Sequence, residues 1–225
     1  MLITRSSFFR VGFDFLSGPL EIVFSLHKAF RRDAFQIDSS AFKIAREGGD
    51  LTLVLDSLRL MGEILDYHAK GEEAAVFPAV DNVAPLVVQS YLFDHRALDI
   101  MVNGLDAMRN ASDPLAMARA TAVLNSHLRI HLDKEDAYLY PILINRTTES
   151  EQASILGVMS QKVPSDKFPT LVQWLFPLLD FQDQVVVAKG WMTGMPPQFF
   201  ATLKPFIKKS VPDNWVELTR QIPGL

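Results

Sequence analysis

The chain contains no cysteine. That absence removes disulfides, thiolate zinc fingers, cysteinyl iron–sulfur clusters and cysteine nucleophiles from consideration. Long apolar runs are missing as well: none reaches the ~18 residues that suggest a membrane span, so no membrane partner is expected. No basic run interrupts the mixed charges, and a net charge of −4 gives no reason to expect nucleic acid. Near the start, Arg10 and Asp14 break up the apolar residues and no small-residue cleavage site follows. This pattern lacks a secretory layout and predicts a cytoplasmic protein. A Gly-rich phosphate loop, a G-x-S-x-G elbow and an H-E-x-x-H zinc-protease signature are all absent. No segment alternates convincingly as a strand.

What is present is a small number of histidines in a repeated arrangement. From His68 the chain reads H-A-K-G-E-E-A-A-V-F-P-A-V, and from His131 it reads H-L-D-K-E-D-A-Y-L-Y-P-I-L. Both fit H-x-x-x-E-[ED]-A-x-[VL]-[FY]-P-x-[VL]. His27 opens H-K-A-F and His95 opens H-R-A-L. The order is therefore His27, His68 with Glu72, His95, His131 with Glu135: one unit used twice.

The apolar spacing places these residues on helices. A first helix is expected from Ser17-Gly18-Pro19, with Leu20, Val23, Phe24 and Phe30 on the same stripe as His27. A second is expected from a cap at Asp50 to about Phe77-Pro78, carrying Val54, Leu58, Met61, Leu65, His68 and Glu72 on one face. A third runs from about Ala84-Pro85 to Asn110 with His95 among Leu92, Leu98, Met101 and Val102. A fourth starts at Ser112-Asp113-Pro114 and carries Leu124, His127, His131 and Glu135 before Tyr140-Pro141. Four long helices with short links predict an antiparallel bundle. Residues 148–225 contain no histidine and read as shorter helices broken by Pro164, Pro169, Pro196, Pro197 and Pro212. Their apolar content (Trp174, Phe176, Phe199, Phe206, Trp215) is too high for a disordered tail.

Residues four apart on a helix lie roughly 5–6 Å apart on one side, so each His/Glu pair projects a nitrogen and a carboxylate together. If all four stripes face inward, four imidazoles and two carboxylates meet at one level. The natural assignment puts His27 and His68 on one metal and His95 and His131 on another, with Glu72 and Glu135 bridging. Such mixed ligation suits iron, manganese or zinc. A two-metal carboxylate site within a bundle makes iron, as a non-haem di-iron centre, the first choice. A ferritin-like site would need Glu-x-x-His pairs, the opposite polarity and spacing. Glu73 and Asp136 point about 100° away from the ligand face and read as solvated or supporting carboxylates. His127, one turn from His131, and Asp99 are further candidate ligands. Tyr67, Tyr138 and Tyr140 could donate to bound oxygen species, but read mainly as packing aromatics with a wet hydroxyl. No catalytic acid or base stands out.

The pattern H … H-x-x-x-E … H … H-x-x-x-E, with F-P or Y-P after each glutamate, resembles the haemerythrin-like cation-binding (HHE) family over roughly residues 20–145. In detail it is similar to the haemerythrin-like modules of plant iron-responsive ubiquitin ligases, through H-K-A, H-x-x-x-E-[ED]-x-x-[VI]-F-P and H-x-x-K-E-[ED]. No ubiquitin-ligase domain is present in this chain. The resemblance implies an all-α, haemerythrin-like four-helix bundle over residues 1–145. A helical extension over 146–225 is expected to pack on the bundle or to form a homodimer. The implied function is binding of iron and, at open metal positions, of O2, NO or peroxide, in sensing or in iron and oxygen handling. A di-iron oxidase or peroxide-decomposing enzyme and a metal-stabilised interaction module are the alternatives. Oxygen-carrying haemerythrins have a histidine where this chain has Asp99, and their final aspartate matches Asp136 while Glu135 follows the shorter spacing of the wider family. Both departures argue against reversible oxygen carriage.

Overall fold

The computed structural model describes residues 18–107 and 113–225, and among them every regular element is helical. Four long helices form the bundle: α1 (Glu21–Glu47), α2 (Thr52–Gly71), α4 (Gln89–Ala107) and α5 (Pro114–Lys134). Helix α1 packs along α5 and α2, and α4 packs along the same two. The helices therefore stand in the cyclic order α1, α2, α4, α5, with sequence neighbours antiparallel. Local chemistry sets several ends. Asp50 accepts the Thr52 N–H at 2.9 Å, and Asp113 accepts the N–H groups of Leu115 and Ala116 at 3.0 and 3.1 Å. The Asp113 cap contributes about 0.5–2 kcal/mol, whereas the N-cap of α2 is Leu51, one residue after the expected Asp50, and it has no side-chain cap bond. At the α2–α4 contact a Cβ on Gly62 would stand 2.6 Å from a Val102 methyl, so only glycine allows this approach.

Two boundaries differ from the sequence expectation. The Phe77-Pro78 and Tyr140-Pro141 dipeptides do not end their helices. The α2 path continues through a five-residue π-helical turn (Glu72–Val76) into α3 (Phe77–Val83), and α5 continues through Glu135–Leu139 into α6 (Tyr140–Ile144). A proline has no N–H to donate and its ring clashes with the carbonyl four residues back. Widening the ladder by one residue just before the proline avoids the break. The third helix begins later than expected, at Gln89. Ser17, Asn110 and Ser112, read as helix-end signals, lie outside the described residues, as do the first fifteen residues read for a leader.

The remaining helices are α7 (Glu149–Ser160), α8 (Phe168–Leu178), α9 (Phe181–Gly194), α10 (Pro197–Ser210) and α11 (Trp215–Gln221). They lie against the bundle. Helix α7 packs on α2 and on the first π-helical turn, where a Cβ on Gly71 would come within 3.2 Å of the Met159 Cα. Helices α8 and α9 pack on α1, and α10 packs on α8. This gives α1 a second buried stripe. Ser25 donates to Asp183 at 2.9 Å, Lys28 pairs with the same carboxylate at 2.7 Å, and the Trp174 indole donates to the buried Asp33 at 2.7 Å. One continuous apolar core joins the bundle to these helices through Phe30, Phe176, Leu203 and Ile207. No described helix is long and apolar enough to cross a membrane.

Candidate metal centre

Each half of the bundle brings its donors to the same level by the same device. His27 and His95 lie within α1 and α4. His68 and His131 occupy the last turns of α2 and α5, and Glu72 and Glu135 are the first residues of the two π-helical turns. The wide turn is closed by the Phe77 N–H on the Glu72 carbonyl and by the Tyr140 N–H on the Glu135 carbonyl. Such insertions are frequent at functional sites.

The six side chains meet in the core. His27, Glu72 and Glu135 have no solvent exposure, and His68, His95 and His131 are buried. The Nε2 atoms of His27 and His68 face each other at 3.0 Å. Glu72 stands between the halves, with Oε1 at 3.3 Å from His68 Nε2 and Oε2 at 3.3 Å from His95 Nε2. Glu135 does the same: Oε1 is 3.3 Å from His131 Nε2, and Oε2 is 3.7 Å from His27 Nε2. Among the described residues two groups could hold a metal ion: His27, His68, Glu72 and Glu135; and Glu72, His95, His131 and Glu135. In each group the potential ligand atoms lie within 4.8 Å of one another, and both glutamates belong to both groups.

The donor set fits cations and is poorly satisfied without them. Glu72 Oε2, both Glu135 oxygens and His95 Nε2 are buried without a hydrogen-bond partner. A buried carboxylate left in that condition is costly, and a cation removes the cost. The proton affinities reflect the same crowding. Burial and the neighbouring Glu72 charge push Glu135 up to about 7. Burial also works to raise Glu72, but the imidazoles of His68 and His95 outweigh it and hold the carboxyl below its usual range. Burial works to lower His95, yet Glu135 and Glu72 drive it up to about 11. His68 and His131 are pushed down by burial to about 3 and 4.

Outward-facing ring nitrogens are held by a further set of carboxylates. Asp136 meets His27 Nδ1 at 2.7 Å and is itself gripped by Arg31 at 2.7 Å. Glu73 meets His95 Nδ1 at 3.0 Å. Asp94, paired with Lys134, stands 3.4 Å from His131 Nδ1. The acidic residue after each core glutamate thus serves the histidine of the other unit: Glu73 of the first repeat serves His95, and Asp136 of the second serves His27. A carboxylate there fixes the tautomer and turns the Nε2 lone pair inward. The Tyr140 hydroxyl donates to Glu72 Oε1 at 2.6 Å, and burial with the nearby carboxylates holds that phenol well above its ordinary value, as a donor.

All six expected residues therefore converge. His127 and Asp99 lie outside both groups. His127 is half-buried with Nε2 lacking a partner. Asp99 lines a groove between α2 and α4 with Leu55, Glu63, Asp66 and Asn103. Tyr67 donates to Glu63 at the surface, and Tyr138 is exposed. The sequence reading missed the roles of Asp94 and Tyr140. Asp94 immediately precedes His95, and that adjacency was the available signal.

An antiparallel bundle whose core carries four imidazoles and two shared carboxylates is a cation-binding bundle by its chemistry. Residues 18–143 match the Hemerythrin HHE cation binding domain, and the chain belongs to that family. Among curated proteins it is similar to a zinc finger protein BRUTUS-like of Arabidopsis thaliana, 25% identical over 188 residues, covering 79% of this chain and 15% of that protein. Zinc finger protein BRUTUS of the same plant is 24% identical over 164 residues, covering 70% of this chain and 13% of the relative. A second BRUTUS-like zinc finger protein is 23% identical over 174 residues, covering 72% and 14%. The chain spans about one seventh of the length of these relatives. No solved structure matches it.

Proposed function

We propose that this protein binds two iron ions between its four bundle helices and, through them, a small ligand such as O2, NO or peroxide. In this reading His27 and His68 hold one ion, His95 and His131 hold the other, and Glu72 and Glu135 bridge. The observation that carries it is the pair of four-residue groups sharing both glutamates, whose oxygens are buried and otherwise unpartnered. Iron held by two nitrogens and two oxygens per ion would supply open coordination positions and a change of oxidation state.

The chain's own residues set the conditions for that chemistry. Asp136, Glu73 and Asp94 orient three of the imidazoles. Tyr140 fixes the rotation of the Glu72 carboxylate. Phe30 against His68 and Phe77 stacked on His95 keep water from the ring faces. Asp99 at the position where the carriers have a histidine favours sensing, or iron and oxygen handling, over reversible carriage.

The test is elemental analysis of protein reconstituted anaerobically with ferrous iron and desalted, followed by optical spectra on adding O2, NO or peroxide. Two irons per chain and a ligand-dependent absorption band are expected. Retention of no metal would return the histidines to a role in core packing and overturn the proposal.

A further inference from the structure

The two halves of the site share their inner donors but differ in what stands behind them. His27 corresponds to His95, and His68 to His131. By the same alignment Leu26 corresponds to Asp94, and Phe77 to Tyr140. In the His95/His131 half both imidazoles have a carboxylate at Nδ1, Glu73 at 3.0 Å and Asp94 at 3.4 Å. The glutamate oxygens on that side, Glu72 Oε2 and Glu135 Oε1, have no hydrogen-bond partner.

The His27/His68 half is poorer on both counts. Only His27 has a carboxylate behind it. His68 Nδ1 is buried without a partner, and the residue corresponding to Asp94 is the apolar Leu26. A neutral imidazole that ligates through Nε2 must carry its proton on Nδ1, so ligation here leaves a buried donor unsatisfied. On the same side Glu72 Oε1 already accepts the Tyr140 hydroxyl at 2.6 Å, which draws on the charge an ion would use. The corresponding Phe77 has no hydroxyl and stacks on His95 instead, 5.1 Å between ring centres.

We infer that the two metal positions are unequal. The His95/His131 position fills first, and the His27/His68 position holds its ion more weakly, so that its occupancy follows the free metal concentration. The inference rests on the two-metal reading above and adds a regulatory property to it: the protein passes through a defined one-metal state as metal becomes available. Loss of a hydrogen-bond partner behind a ligating histidine typically costs 10- to 100-fold in metal affinity, and a separation of about that size is expected between the two steps.

Cobalt(II) titration of the intact metal-free chain tests this. A competing chelator gives the affinities, and the visible cobalt bands follow each step. Two successive ions are expected. His68→Ala should remove the weaker step and leave the tight one, and His131→Ala should remove the tight one. Leu26→Asp, at a half-buried position, should place an acceptor near His68 and strengthen the weaker step about 10-fold or more. Helical circular dichroism confirms that each variant is folded. Uptake of two ions in a single step, or loss of the tight step in His68→Ala, overturns the inference while leaving the two-metal reading intact. No uptake by the parent chain overturns both.

Discussion

The level of the candidate ligands and the layer of α8, α9 and α10 are both buried, but for opposite reasons. Phe176, Leu203 and Ile207 lie in the core because they are apolar, and the polar groups among them find partners: Gln184 donates to the Phe176 and Leu179 carbonyls, and Trp174 donates to Asp33. The plane of His27, His68, Glu72, His95, His131 and Glu135 is equally dry but carries carboxylate oxygens with nothing to accept from. Burial of the first region is favourable by itself. Burial of the second makes sense only with a cation. The difference teaches where stability ends and function starts in this fold.

Removing the charges should break the comparison most completely. The Glu72→Ala/Glu135→Ala variant is expected to retain no metal by elemental analysis. Metal content equal to the parent's would show that the ions are held elsewhere. Adding metal to the parent should act next most strongly. An ion at a thousand times its dissociation constant stabilises the folded state by about 4 kcal/mol, so a chelator should lower the melting temperature of the parent and leave the double variant unchanged.

Leu203→Ala in α10 should cost about 2–5 kcal/mol through its cavity, read by urea unfolding, with metal content unaltered. Trp174→Phe removes the donor to Asp33 and should cost about 1–3 kcal/mol at neutral pH. Burial raises the Asp33 carboxyl above its usual value, partly opposed by the Trp174 N–H. The ionised group therefore costs stability at neutral pH, a cost relieved as pH falls through its folded value and absent below its unfolded one. The Trp174→Phe penalty should shrink over the same acid range. The smallest effect concerns protons. With His95 near 11 and Glu135 near 7 in the metal-free protein, metal binding at neutral pH must displace protons. Uptake should release about one proton or more and weaken as pH falls, which calorimetry in buffers of different ionisation enthalpy would detect.

The bundle was legible because its apolar spacing is regular and its motif occurs twice. The repeat, not any single histidine, made the convergence of His27, His68, Glu72, His95, His131 and Glu135 readable. What was not legible depended on contacts between distant segments. The second stripe of α1, with Ser25 and Asp33 turned towards α9 and α8, has no local signature, since its partners Asp183 and Trp174 come more than a hundred residues later. Phe77-Pro78 and Tyr140-Pro141 carry a strong breaker signal, and tertiary packing overrode it by widening the turn. Tyr140 and Phe77 occupy matching places in the repeat, so the motif hid the hydroxyl that touches Glu72. Glu73 and Asp136 were seen as carboxylates off the ligand face, but their exchange between units emerges only when the halves are docked.

The most direct test of the central claim is anomalous diffraction at the iron edge from crystals of the iron-loaded protein. Two peaks about 3.5–4 Å apart, both contacted by Glu72 and Glu135 and each contacted by one pair of histidines, are the expected result. A single peak, or peaks away from these six residues, would contradict it.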